Sequence, residues 1–147
     1  MKYSIVIPSF NHCKDLLKPC IESVIKYTDL NNSEIIIVAN GCTDETKKYL
    51  MNNGFCYGYS SPINQIKKSI WFDKSIGYTK ATNEGIKIAT GEYIVLLNND
   101  CVLLPQPINT WINQLLQPFK DDKMVGGTGP FLMGYPRFIV FFCAMIK

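Results

Sequence analysis

The stretch Gly91-Glu92-Tyr93-Ile94-Val95-Leu96-Leu97-Asn98-Asn99-Asp100 decides how this chain folds. Residues 93–97 are apolar without interruption. A run that short, with no polar face, predicts a strand buried on both sides. It stops abruptly on two amides and a carboxylate, which places polar chemistry at the carboxyl end of a buried strand. Two further runs have the same form. Ser4-Ile5-Val6-Ile7 halts at Pro8-Ser9-Phe10-Asn11, and Glu34-Ile35-Ile36-Ile37-Val38 halts at Ala39-Asn40-Gly41.

Between these strands the apolar period changes to that of a helix. Leu17, Cys20, Ile21, Val24 and Ile25 predict a helix over 14–28, with Pro19 confined to its first turn. Thr43-Asp44-Glu45 reads as a cap opening a short polar helix that runs to about residue 52. Strands are expected at 55–59 and 67–72, divided by the turn-like Ser60-Ser61-Pro62. Tyr78, Ala81, Gly85, Ile88 and Ala89 predict a helix over 77–90, with Gly91 as its C′ residue. Ile108, Trp111, Ile112, Leu115, Leu116 and Phe119 predict another over about 107–118. A Gly-rich stretch, 126–134, leads to an apolar run at 138–146 that reads as a buried strand. At nine residues that run is about half the roughly 20 needed to span a bilayer. Strands alternating with helices at these lengths imply βαβ units and a mostly parallel α/β sheet. Such sheets bind ligands at the carboxyl ends of their strands, so the loops 8–11, 39–44 and 98–100 are the ones to inspect.

Composition agrees with a single domain over 1–147. Of 147 residues, 47% are hydrophobic and 18% charged, which excludes a disordered or low-complexity chain. The net charge of +3, with no dense Lys/Arg stripe, argues against a nucleic-acid partner. The six cysteines form no C-x-x-C pair and there is one histidine, so a zinc site is not expected. Reduced thiols, most of them small core residues, suit a cytoplasmic protein, with peripheral membrane placement left open. No signal peptide is read at Met1-Lys2-Tyr3, which leads straight into the first strand.

At the strand ends, Asp100 with Asn98 and Asn99 offers hard oxygen donors of the kind Mg²⁺ or Mn²⁺ prefers; the alternative is a polar turn. Asp44 is read as a helix cap and Asn40, beside Gly41, as better placed to reach a ligand. Ser9 and Asn11 follow Pro8 in the same way. The lone His12 is read as a surface residue. No phosphate-binding G-x-x-x-x-G-K-[ST] loop occurs, no G-x-G-x-x-G follows the first strand, and there is no G-x-S-x-G elbow. A metal-assisted nucleotide-diphosphate site survives this elimination.

The combination resembles family 2 glycosyltransferases of the GT-A fold. Ser4-Ile5-Val6-Ile7-Pro8-Ser9-Phe10-Asn11 is similar to their opening strand. Val38-Ala39-Asn40-Gly41-Cys42-Thr43-Asp44 is similar to their second strand end, commonly V-D-N/D-G-S-T-D. Gly77-Tyr78-Thr79-Lys80-Ala81-Thr82-Asn83-Glu84-Gly85-Ile86 resembles their G-x-x-x-A-x-N-x-G-I segment, and 91–100 resembles the strand into their D-x-D-type motif. The resemblance implies a nucleotide-diphosphate sugar donor, a glycan or other hydroxyl acceptor, and an Mn²⁺ or Mg²⁺ ion. By position it implies that Pro8, Ser9, Asn11 and Asn40 line the nucleoside pocket and that Lys80 or Asn83 lies near the base or diphosphate. It further implies Asn98 close to the ribose or donor sugar, Asn99 among the nucleotide-sugar-binding residues, and Asp100 on the metal.

Two positions depart from the family pattern. Ala39 stands where many members have an aspartate for the pyrimidine N3–H, a task the Asn40 carbonyl could take over. Asn98 replaces the first D-x-D aspartate, leaving Asp100 as the anionic ligand. No carboxylate follows Asp122, so the general base is expected beyond Lys147 and the chain reads as a donor-binding half. On that expectation, apolar surface around Phe131, Leu132, Phe138 and Phe141 would favour self-association. The competing readings are a non-catalytic nucleotide-sugar binding module or inactive truncated relative, and, more weakly, a nucleotidyltransferase.

Overall fold

In the computed structural model, which describes residues 2–58, 65–129 and 142–146, alternate residues of the central strands enter opposite cores. Along β1 (Tyr3–Ser9), Ile5 and Ile7 join one apolar cluster while Val6 joins the other. Along β2 (Ser33–Asn40), Ile35 and Ile37 face the first and Ile36 and Val38 the second. This two-sided burial is what an uninterrupted β-branched run demands, because neither face can be left in water.

A π-helical turn, Cys13–Leu17, leads into α1 (Lys18–Tyr27), and Pro19 lies in the first turn of α1. Then follow α2 (Thr46–Asn52), β3 (Cys56–Tyr57), β4 (Lys67–Phe72), α3 (Tyr78–Ile88), β5 (Tyr93–Leu97), α4 (Thr110–Asp121), β6 (Gly127–Thr128) and β7 (Phe142–Ile146). The described strands form one sheet in the order β3-β4-β2-β1-β5-β7-β6. β3, β4, β2, β1 and β5 are mutually parallel, while β7 runs antiparallel to β5 and to β6. Residues of α1 and α4, with Leu50 of α2, build the core on one face, and Ala81 of α3 lies in the core on the other.

Three local expectations are revised. Gly91 is not a left-handed C′ residue. It is glycine because a Cβ there would come within 2.7 Å of the Ser4 backbone nitrogen, where the chain enters β5 against β1. Tyr78 belongs to no buried stripe of α3 and is 53% exposed. Ile108 is exposed and precedes α4, whose apolar face begins at Trp111 and Ile112. The apolar surface expected around Phe131, Leu132, Phe138 and Phe141 and the turn at Ser60-Ser61-Pro62 lie outside the described residues. No helix among the described residues is long and apolar enough to cross a membrane.

Candidate functional site

Past the end of β1 the backbone reverses through Asn11 and His12, both in the left-handed region at φ 55° and 57°. Two successive L-residues hold that conformation only when neighbours fix them. The loop after β2 supplies the clamp. Asn11 Oδ1 accepts the Thr43 N–H at 2.7 Å. The Cys42 thiol accepts the Asn11 N–H at 3.3 Å and donates to the Ser9 carbonyl at 3.4 Å. Asp44 Oδ2 accepts the Cys13 N–H at 2.9 Å, while Oδ1 accepts the Thr46 N–H at 3.1 Å and its hydroxyl at 2.6 Å. Asp44 therefore caps α2 as expected and also ties it to the turn before α1. Burial alone would raise its pKa, but the Thr46 hydroxyl and the Cys13 and Thr46 N–H groups outweigh burial and hold it below the ordinary carboxylate value.

The tip of β2 secures the next loop. Gly41 has φ 80°, and a Cβ on it would fall 2.3 Å from the Ser75 backbone nitrogen, so no other residue fits. The Gly41 N–H donates to the Phe72 carbonyl at 3.0 Å, and Asn40 Oδ1 accepts the Ile76 N–H at 2.8 Å. At the tip of β5 the Asn98 carbonyl accepts the Cys101 N–H at 3.2 Å and the Cys20 thiol at 3.6 Å. Burial, followed by the neighbouring Asp100 carboxylate, pushes the Cys101 thiol up to about 12, so it stays protonated beneath the site. Asn98 Oδ1 accepts the Tyr78 hydroxyl at 3.1 Å, and Asn99 Nδ2 donates to Ser9 Oγ at 3.2 Å.

These three tips enclose a cleft of about 460 Å³. Pro8, Ser9, Asn40, Asn98, Asn99 and Asp100 line it. Asn11 does not; its side chain is spent on Thr43. Lys80 and Asn83 lie on the exposed face of α3 and do not line the cleft. Phe10, Ser75 and Tyr78 line it without having been singled out from sequence, and His12 lies at its wall while pairing with Asp15 at 3.0 Å. Tyr78 could have been suspected from its place at the start of a helix that follows a parallel strand, where side chains face the sheet's ligand edge. The substitute expected of Asn40, a carbonyl for a pyrimidine N3–H, is already engaged by Ile76.

For a divalent cation, the donor set is sparse. Among the described residues no group of three or more His, Cys, Asp or Glu side chains gathers to hold a metal. Asp100 is exposed and is the carboxylate that lines the cleft. One carboxylate fits a hard cation only when ligand phosphates complete its shell.

The family model for glycosyl transferase family 2 matches residues 4–133. Glycosyltransferase GlyG of Streptococcus pneumoniae is 32% identical over 124 residues, covering 84% of this chain and 38% of that protein. A poly(ribitol-phosphate) beta-glucosyltransferase of Bacillus spizizenii is 32% identical over 114 residues, covering 77% of this chain and 17% of the other. The chain thus spans well under two thirds of these relatives' length. Among solved structures, the mannosyltransferase PcManGT from Pyrobaculum calidifontis, in complex with GDP-Man and Mn²⁺, superimposes with a TM-score of 0.70 at 17% identity, over 99% of this chain and 44% of that one. S. aureus TarS 1-349 in complex with UDP-GlcNAc gives 0.64 at 19% identity, over 93% and 37%. At such identities the likeness is one of fold, the GT-A arrangement of a mostly parallel sheet with helices on both faces. With the strand-tip motifs, the parallel sheet and a family match over most of its length, the chain belongs to glycosyl transferase family 2.

Proposed function

We propose that residues 1–147 form the donor-binding unit of a glycosyltransferase that moves a sugar from a nucleotide-diphosphate sugar to a hydroxyl of a growing glycan or polysaccharide. The observation that carries this reading is the cleft itself: asparagines from the tips of β2 and β5 and one exposed carboxylate, Asp100, line a single polar hollow at the sheet's carboxyl edge. Pro8 and Phe10 give it an apolar wall suited to a flat base, and its amide side suits phosphate and sugar oxygens. The two solved complexes, with UDP-GlcNAc and with GDP-Man and Mn²⁺, support a donor of that class.

Asp100 would hold Mn²⁺ or Mg²⁺ together with the diphosphate. When bound, the ion supplies charge neutralisation for the departing nucleoside diphosphate. Asn98 and Asn99 orient the ligand at the β5 tip, and Ser9, fixed by Asn99, completes the floor. No general base is assigned among the described residues. Lys80 and Asn83, off the lining, are given no contact with the donor. A cytoplasmic setting, peripheral to the membrane where the acceptor is lipid-borne, belongs to the same proposal. So does self-association through the apolar residues Phe131, Leu132, Phe138 and Phe141.

Calorimetric titration with UDP, dTDP and GDP, with and without Mn²⁺, tests the reading. One carboxylate is too little charge to strip water from a hard cation, so metal and nucleotide should each tighten the other by the same factor. Asp100→Asn should abolish that coupling and leave the fold intact. Nucleotide binding that ignores both Mn²⁺ and Asp100→Asn would show the Asn-Asn-Asp tip to be only a turn, and no nucleotide binding at all would overturn the donor site.

A further inference from the structure

We infer that Tyr78 is a positioning residue that turns Asn98 into a hydrogen-bond donor toward the diphosphate-sugar end of the ligand, so that Asn98 serves the ligand's oxygens and not the metal. The inference rests on the nucleotide-sugar reading of the cleft and deepens it.

A carboxamide has one oxygen that accepts and one nitrogen that donates. The Asn98 oxygen is engaged by the Tyr78 hydroxyl at 3.1 Å. Its main chain is held independently, since the Asn98 carbonyl accepts the Cys101 N–H and the Cys20 thiol. The side chain thus rises from a fixed base with its oxygen drawn to α3, an orientation that turns the N–H₂ away from Tyr78 and makes it the group offered to the ligand. Asn40 repeats the pattern across the cleft, its oxygen committed to the Ile76 N–H at 2.8 Å. On this orientation both asparagines turn donors to the ligand, and Asp100 is the charged oxygen ligand among the cleft side chains at this tip.

The chemistry follows from charge. A diphosphate and sugar hydroxyls present oxygens, which amide N–H groups attract and which a carboxylate at position 98 would repel. Tyr78 lies at the first residue of α3 and is half exposed, so its hydroxyl can hold Asn98 without being part of the core. Removing the hydroxyl frees the carboxamide to rotate and lose its aim.

The test is a double-mutant cycle on the protein: wild type, Tyr78→Phe, Asn98→Ala and the double variant. Each is titrated with UDP and GDP in Mn²⁺, with uridine and guanosine, and with Mn²⁺ alone. Tyr78→Phe should weaken binding of the nucleoside diphosphate about 3- to 10-fold, the span expected for one hydrogen bond. Nucleoside affinity and the affinity for Mn²⁺ alone should not change in any variant. The double variant should bind no more weakly than Asn98→Ala, because Tyr78 acts through Asn98. Independent losses that add in the double variant, or unchanged diphosphate binding by Tyr78→Phe, overturn the inference while the donor site stands. Weaker binding of Mn²⁺ alone in Asn98→Ala overturns the donor assignment. Wild type that binds neither UDP nor GDP overturns the inference together with the reading beneath it.

Discussion

Asp44 shows how one side chain acquires a larger role than its local sequence suggests. As a helix cap it would be worth about 1 kcal/mol. It also accepts the Cys13 N–H, a bond between residues 31 apart in sequence that joins the start of α2 to the turn before α1. Asp44→Asn keeps one accepting oxygen and replaces the other with an N–H₂ group, so one of the two backbone N–H groups, Cys13 or Thr46, loses its acceptor and faces a donor. The expected loss is about 2–3 kcal/mol of unfolding free energy, read from urea denaturation at pH 7. A loss below about 0.5 kcal/mol would mean that the bond to Cys13 contributes nothing beyond the cap. Thiol chemistry offers a second check at this scale. Cys13, Cys20 and Cys101 are buried and Cys56 is exposed. Iodoacetamide on the native protein should label Cys56 first, with the three buried thiols labelled only on unfolding, as peptide mass mapping would show.

Among the elements, α3 is the one whose fit to the sheet is set by a single missing methyl group. A Cβ at Gly85 would approach Val6 Cγ1 to 2.4 Å and Val38 Cγ2 to 3.0 Å. Alanine is intrinsically better than glycine in a helix by about 1 kcal/mol. Overpacking against two β-branched side chains, which have little rotamer freedom, costs about 1–3 kcal/mol. The clash should win, so Gly85→Ala is expected to destabilise by about 1–2 kcal/mol on balance. Because Tyr78 begins the same helix, a shifted α3 should also weaken UDP binding. A Gly85→Ala protein with a raised melting temperature would show that the helix relaxes away from the sheet freely.

Over the whole molecule the two edges of the sheet do different work. The carboxyl edge carries the cleft, while at the amino edge Glu34 and Lys68 form an ion pair at 2.6 Å with both side chains almost fully buried. The other Glu34 oxygen accepts the Ser4 hydroxyl at 2.5 Å and the Thr90 N–H and hydroxyl at 2.6 and 2.9 Å. The carboxylate thereby ties β1, β2, β4 and the approach to β5 together. Burial by itself raises its pKa, and Lys68, Ser4 and Thr90 outweigh that and lower it. Glu34→Gln leaves Lys68 buried without a counter-charge and should cost about 3–5 kcal/mol. Glu34 and Asp44 are both lowered on folding, so the folded state binds fewer protons than the unfolded chain in acid. Their contribution is therefore full at neutral pH and is lost as pH falls from about 4 through the lowered values of the folded state. Denaturation midpoints measured from pH 7 to 3 should fall steeply below about pH 4, and a profile flat to pH 3 would contradict this.

The strands, their parallel pairing and the ligand edge were legible in the sequence, because a strand buried on both faces must be apolar throughout and its tip is marked where that run breaks. Pro8, Asn40 and Asp100 could be placed on one edge for that reason. Family motifs carried the expectation of a nucleotide-sugar donor, and local caps such as Asp44 could be read from residue type. Only the tertiary structure decided which partner each polar side chain takes. Asn11 goes to Thr43, Asn40 to Ile76 and Tyr78 to Asn98, pairs 32, 36 and 20 residues apart. Apolar periodicity is a property of one segment and survives in any environment that buries it. A hydrogen bond depends on ångström-scale placement of two segments, and that placement exists only once the sheet has brought their ends together.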